Sequence, residues 1–396
     1  MIDELCQRDE QVLDAAELLL DSLGEYPSPR ALRRVREALA RGRAAVRAAE
    51  EGAASWESVC GAQLEQSWRV LECWVEARWN WPADPEPLLE ALFGPGGWAT
   101  IERQVADLDP VAVTEYFDLR QGLRRDRLPT ADSEYFPRVR TALLELVEAL
   151  IGWLAREGWD LPGLDVTVSV VPDESGHAYY QPRMGRIVVP SGLAMVFRRP
   201  SGIEVDASPA LRTVCHELLG HAVQHALSAD LPAFLQAADR TPLRLAGQVC
   251  AEGLGEHASE VARRLLASGS GILGTAARDR FEIEQRVGAL FHALPALACV
   301  ARLKEQIDPA FTAAGYLASV AGHDGFGTLL DTAAPDLDRI VYHASSAFGW
   351  QMVARADAEL ARHEPSPARR WRRLGRGAWT PALYPRVVTG SLPGPS

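Results

Sequence analysis

The sequence predicts a mainly α chain of the α+β kind: a multi-helix body with a small β-sheet just ahead of a helix that carries metal ligands. Three observations point there. Residues 1–160 read as helices with short breaks. Val166-Thr167-Val168-Ser169-Val170-Val171 alternates and is β-branched, the pattern of a strand. After it, Leu211, Val214, Cys215, Leu218, Leu219, Ala222 and Val223 recur at helical spacing around His216-Glu217-Leu218-Leu219-Gly220-His221.

In chain order, Glu10 to Leu23 is periodic and stops at Gly24, before Pro27 and Pro29. Ala31 to Gly52 is rich in Ala, Arg and Glu and reads as an amphipathic, largely solvated helix. Ser55 to Trp79 carries Trp56, Trp68, Trp74 and Trp79, a content expected of core or interface. Phe136 to Gly158 is strongly apolar. Ala178 to Gln181 and Arg186 to Val189 form two further short strands around Gly185. Such a sheet either offers an edge to extended substrate backbone or only covers the core. Ser208-Pro209 reads as a helix start, a serine N-cap followed by proline at the first helical position. Apolar helices follow at about 277–306 and 309–320, then Leu337 to Ala361. The tail from Glu364 holds Arg369, Arg370, Arg372, Arg373 and Arg376 among prolines and glycines. It is expected to be irregular and solvated, or to wrap the body. The chain divides into a helical region 1–160, a catalytic region 161–362 and the tail 363–396.

The 396 residues are 47% hydrophobic, enough for a large core, and carry a net charge of −12, which disfavours a nucleic-acid partner. Six cysteines show no Cys-x-x-Cys spacing and read as small buried apolar residues. The start, Met1-Ile2-Asp3-Glu4-Leu5-Cys6, is acidic, without the basic and apolar regions of a signal peptide. No apolar run is long enough to span a bilayer. A cytoplasmic protein with reduced thiols is expected.

The chemistry concentrates in two clusters. His216, Glu217 and His221 share one helix, but the histidines are five apart, where the usual zinc-peptidase pair is four apart. An ideal helix separates residues five apart by about 140° and residues four apart by about 40°. Either the helix bulges near Gly220, as single-turn π-bulges at functional sites do, or the undistorted stripe Glu217, His221 and His225 is the relevant face. The second cluster, Glu252 and Glu256, lies four apart on the next long helix. One carboxylate can bind metal while the other accepts a hydrogen bond from a ligating histidine. The expected metal ligands are therefore His216, His221 and Glu252, with Glu256 behind them. Glu217 is placed to take a proton from a metal-bound water.

These residues resemble known families. His216 to His221 matches the six-residue His-Glu-x-x-Gly-His motif of dipeptidyl peptidase III, which also follows it with two glutamates four apart. Glu252-Gly253-Leu254-Gly255 is similar to the Glu-Gly-Leu-Ala of the tubulin-tyrosine carboxypeptidases. The helical bacterial metallopeptidases called domain of unknown function 885 resemble more of the chain, over about 165–350. Their Ala-x-Tyr-x-x-Pro, Gly-His-x-x-Gln and Glu-Gly-Trp stretches find counterparts in Ala178-Tyr179-Tyr180-Gln181-Pro182, Gly220-His221-Ala222-Val223-Gln224 and Glu252-Gly253-Leu254. The proline those proteins carry before Gly-His is missing. Taken together, the residues resemble His-Glu helix zinc metallopeptidases of the gluzincin-like kind. The resemblance implies a zinc cofactor, a peptide substrate met by Tyr179, Tyr180 and Arg339, and an oxyanion donor in Tyr342 or His343 beside the small-residue run Ala344 to Gly349. His323 is a weaker candidate.

Two readings of the chemistry remain. Zinc hydrolysis of an amide uses every residue type present. A non-heme Fe(II) oxygenase uses the same two histidines and carboxylate, but needs no base like Glu217 beside its first ligand. An inactive scaffold is disfavoured by the intact base and the Glu252/Glu256 pair.

Overall fold

The helices expected in the first half of the chain form where the periodicity places them. A computed structural model describes residues 2–22, 29–49, 55–125, 127–159, 166–174, 177–236, 244–267, 275–321 and 336–392. His323 lies outside the described residues. Ile2–Ser22 and Pro29–Ala49 pair, and Trp56–Trp79 packs on both. Ser55 caps that third helix, its hydroxyl accepting from Ser58 N at 3.3 Å. Trp68 and Trp74 are fully buried there, as the tryptophan content predicts. The apolar helix is Phe136–Arg156. The chain is mainly α, with two three-stranded sheets among the described residues. No single helix among them is long and apolar enough to cross a membrane.

The strands are β1 (Arg127–Leu128), β2 (Thr167–Val171), β3 (Tyr179–Gln181), β4 (Arg186–Pro190), β5 (Met195–Arg199) and β6 (Gly202–Asp206). The expected sheet has order β2-β4-β3, with β2 and β4 parallel and β3 antiparallel at the edge, Tyr180 opposite Ile187. Edge strand β3 rests against the helix that carries His216 and His221. The second sheet, β1-β5-β6, is fully antiparallel and went unread in the sequence.

Three expectations are corrected. Ser208 is not a side-chain N-cap: its hydroxyl donates to Asp206 Oδ1 at 2.5 Å and accepts from Arg280, so the buried arginine captures it. The helix expected at 277–306 breaks into Thr275–Arg286, a 3₁₀ turn at Gly288–Leu290 and Ala293–Ile307. The break leaves His292 free to reach Glu256, 3.0 Å away. The arginine-rich tail is not a solvated, irregular segment. It forms helices Pro367–Leu374 and Tyr384–Val388 and buries Trp371, Trp379 and Tyr384 in the common core, so it does wrap the body. The Gln63 side chain holds it through Ala378 O (3.1 Å) and Thr380 N (2.9 Å).

The helix Leu245–His257, with both site glutamates, is clasped between the histidine helix and Leu337–Leu360. Glycines make the clasp possible. A Cβ on Gly220 would lie 2.5 Å from Gly255 Cα, and one on Gly349 would lie 2.1 Å from Val249 O and 2.8 Å from Gly253 Cα. Backbone meets backbone at both crossings, so neither partner can move aside as a side chain would.

Gly349→Ala is therefore expected to lose at least about 1–3 kcal/mol of stability, the usual range for overpacking. The exposed helical Gly315, whose nearest atom is 3.7 Å from a built Cβ, is the contrast. Gly315→Ala is expected to gain up to about 1 kcal/mol from helix propensity. Denaturant unfolding of both variants reads the difference, and equal effects would contradict the close-crossing account.

Candidate metal centre

The five-residue histidine spacing is resolved by the backbone. Residues 210–215 are α-helix, His216–Ala222 is a π turn, and Val223–Leu227 returns to α-helix, with right-handed helical backbone at every junction. Bonding from i to i+5 brings residues five apart onto one face. His216 and His221 thus point together, their Nε2 atoms 3.1 Å apart. The bulge predicted near Gly220 is present, though Gly220 serves chiefly to let Gly255 approach. Trp371 of the tail donates through Nε1 to Leu219 O at 3.1 Å, satisfying a carbonyl within the π turn.

Glu252 completes the group. Its Oε2 is 3.6 Å from His216 Nε2 and its Oε1 is 3.9 Å from His221 Nε2. The three residues form a cluster that could hold a metal ion. A tetrahedral site with bonds of about 2.0–2.2 Å has edges of about 3.3–3.6 Å. The two Nε2 atoms are 3.1 Å apart, and each lies 3.6 to 3.9 Å from one of the two Glu252 oxygens. One donor atom from each residue falls within 4.8 Å of the others, near enough to such a face for small side-chain adjustments to close it. The donor set therefore fits a divalent ion with at least one open position.

Glu256 sits behind His216, its Oε1 3.2 Å from His216 Nδ1. That contact places the Nδ1 proton on the carboxylate side and leaves Nε2 for a metal. Glu256 is itself held by Arg212 at 2.5 Å and His292 at 3.0 Å. Burial alone would favour a protonated Glu256, but Arg212 and then His292 outweigh it and hold its pKa well below the usual carboxylate range. Burial likewise disfavours a charged His216, yet its bonds to Glu252 and Glu256 raise its pKa well above the usual value. Glu252, also buried, is lowered by His216 and His221. Arg212 and His292 were missed in the sequence. Arg212 precedes His216 by four residues, a legible spacing; nothing local marks His292.

A cleft of about 410 Å³ opens over these donors, lined also by Tyr179, Tyr180, Glu217, His225, Gln248 and Tyr342. Glu217 Oε2 accepts from Tyr180 N at 2.8 Å, so the expected base is anchored to edge strand β3. Ser346 reaches both Glu252 Oε2 (3.4 Å) and Tyr342 O (3.1 Å), tying the small-residue run to the candidate ligand Glu252. Tyr342 has a raised pKa, through the charge of Glu252 and then burial, and keeps its proton. His343 does not line the cleft. Its ring lies against Tyr342 and His292, and burial, then the nearby His292 and Arg339, push its pKa down to about 4. Arg339 is exposed, one turn before His343, and is not among the cleft residues.

No family model, curated protein or solved structure matches the chain.

Metal binding must expel the proton that Glu252 and Glu256 stabilise on His216. Apparent metal affinity should therefore rise with pH, through and beyond the ordinary histidine range near about 6.5. It should level off only above the raised His216 value. Chelator competition at several pH values measures this; an affinity flat between about pH 6 and 8 would contradict the proton on His216. By the same competition, Glu256→Gln is expected to weaken metal binding by about 10–100-fold.

Proposed function

We propose that the chain is a zinc-dependent metallopeptidase that hydrolyses an amide bond in a short or modified peptide. The observation that carries the reading is the convergence of His216, His221 and Glu252 at a cleft wall with Glu217 beside them. Zinc held by those three residues would supply a polarised water with a pKa near about 7.

The chain's own groups then have distinct roles. Glu217 is held at Oε2 by the Tyr180 amide, which leaves Oε1 to take a proton and pass it to the leaving amine. Glu256 and Ser346 keep His216 and Glu252 aimed. Tyr342, protonated at neutral pH, is the better placed of the two expected oxyanion donors, because His343 does not line the cleft. The peptide would lie along β3 beside Tyr179 and Tyr180. The unpaired thiols of all six cysteines support a reducing, cytoplasmic setting.

The same triad would also serve an Fe(II) oxygenase. A carboxylate anchored beside the first ligand favours hydrolysis, since an oxygenase has no use for that base.

Protein purified without chelator is expected to carry about one zinc per chain, lost together with activity on chelation and restored by zinc. Dominant iron with oxygen uptake would favour the oxygenase. Glu217→Gln keeps size while removing the basic lone pair. It should retain metal and fold but lose about 10²–10⁴-fold in turnover on a mixed peptide library. Full turnover in that variant would exclude the mechanism.

A further inference from the structure

We propose that Tyr180 is a positioning residue that orients two groups on the histidine helix at once, and that His225 is a further residue donating a hydrogen bond to substrate. The proposal rests on the hydrolytic reading. Tyr180 lies on edge strand β3, opposite Ile187 of β4. Its amide donates to Glu217 Oε2 at 2.8 Å, and its hydroxyl meets His225 Nδ1 at 3.3 Å, with ring centroids 5.9 Å apart. Glu217 and His225 stand on either side of the ligand His221 along one continuous helix. One strand residue thus grips that helix at two points, two turns apart, and both gripped side chains line the metal cleft.

In the proposed arrangement the phenol is the donor to the imidazole. Burial raises the Tyr180 pKa, so the phenol keeps its hydrogen and can donate it. An imidazole that accepts at Nδ1 carries its own proton at Nε2 when neutral. In that tautomer His225 offers an Nε2–H to the cleft, a donor suited to a substrate carbonyl oxygen on which negative charge develops. Tyr342 is a second hydroxyl donor lining the same cleft, from a different helix. His225 is not a member of the metal-ligand cluster, and its ring bonds Tyr180, so this role is separable from metal binding.

Two measurements on the full-length, zinc-loaded chain test the proposal. Nitrogen NMR of ¹⁵N-histidine-labelled protein, assigned with His225→Ala, should show His225 as the Nε2–H tautomer. In Tyr180→Phe, which keeps the amide but loses the hydroxyl, that preference should collapse toward a mixture. In kinetics, His225→Ala should lower kcat by about 10²–10³-fold, the usual cost of one oxyanion donor, with zinc content and KM little changed. Tyr180→Phe should cost less, and should add nothing in the double variant, because it acts through His225. A His225 proton on Nδ1, or additive losses, would overturn the proposal. If the wild type cleaves no peptide, the hydrolytic reading falls with the substrate-donor role, while the nitrogen spectra still decide whether Tyr180 sets the His225 tautomer.

Discussion

The site depends on how closely three helix backbones approach one another. The glutamate helix presents Glu252 and Glu256 to the histidines because Gly220 meets Gly255 with no side chain between them. A Cβ on Gly255 would lie 2.6 Å from the His216 ring, so that position serves both the crossing and the seating of His216. On its other side the same helix touches Gly349, and this brings Ser346 and Tyr342 of the neighbouring helix to Glu252. Glycines are costly in helix interiors by propensity. Their presence at each crossing shows that approach distance outweighs local helix preference here.

Such closeness buries charge. Glu252, Glu256 and His216 are all nearly inaccessible, and an isolated buried carboxylate would be protonated. Each charge is instead met by another. Arg212 and His292 face Glu256, Glu256 faces His216, and His216 faces Glu252. The chain of contacts alternates in sign from the protein interior to the cleft. A bound cation would take the place of the His216 proton where the two Nε2 atoms and the Glu252 carboxylate converge, and so keep a positive charge between the two glutamates. The sequence analysis reaches only the cleft-side members of this series, Glu256, His216 and Glu252, since Arg212 was passed over and His292 enters from a break between helices.

Legibility follows the range of the interaction. Helices with strong periodicity, such as Pro29–Ala49 and Phe136–Arg156, stand out because one residue's environment repeats every turn. The sheet β2-β4-β3 is legible from β-branched alternation around Gly185. The second sheet is not: β1 is two residues long and pairs with β5, about seventy positions away, so no local pattern announces it. Ser208 has the right residue type for a cap, but Arg280, remote in sequence, claims its hydroxyl. The tail misleads for a related reason. Its arginines suggest solvation, while Trp371, Trp379 and Tyr384 between them are what the core takes up.

The tail also bears on the π turn. A helix with one residue too many per turn must leave some backbone groups poorly paired, and buried carbonyls need partners. Trp371 supplies one to Leu219 O, and its ring stacks on His257 at the end of the glutamate helix. His257 bonds Asp357 on the third helix, and Arg370 bonds the same carboxylate at 2.6 Å. The segment least suggestive of function in the sequence is thus a brace across all three helices that build the centre. It meets the histidine helix two residues from His221, at Leu219, which is not among the cleft residues. A distortion that five-residue spacing demands is held in place by the tail, so the convergence of His216 and His221 is a property of the folded chain and not of the motif alone.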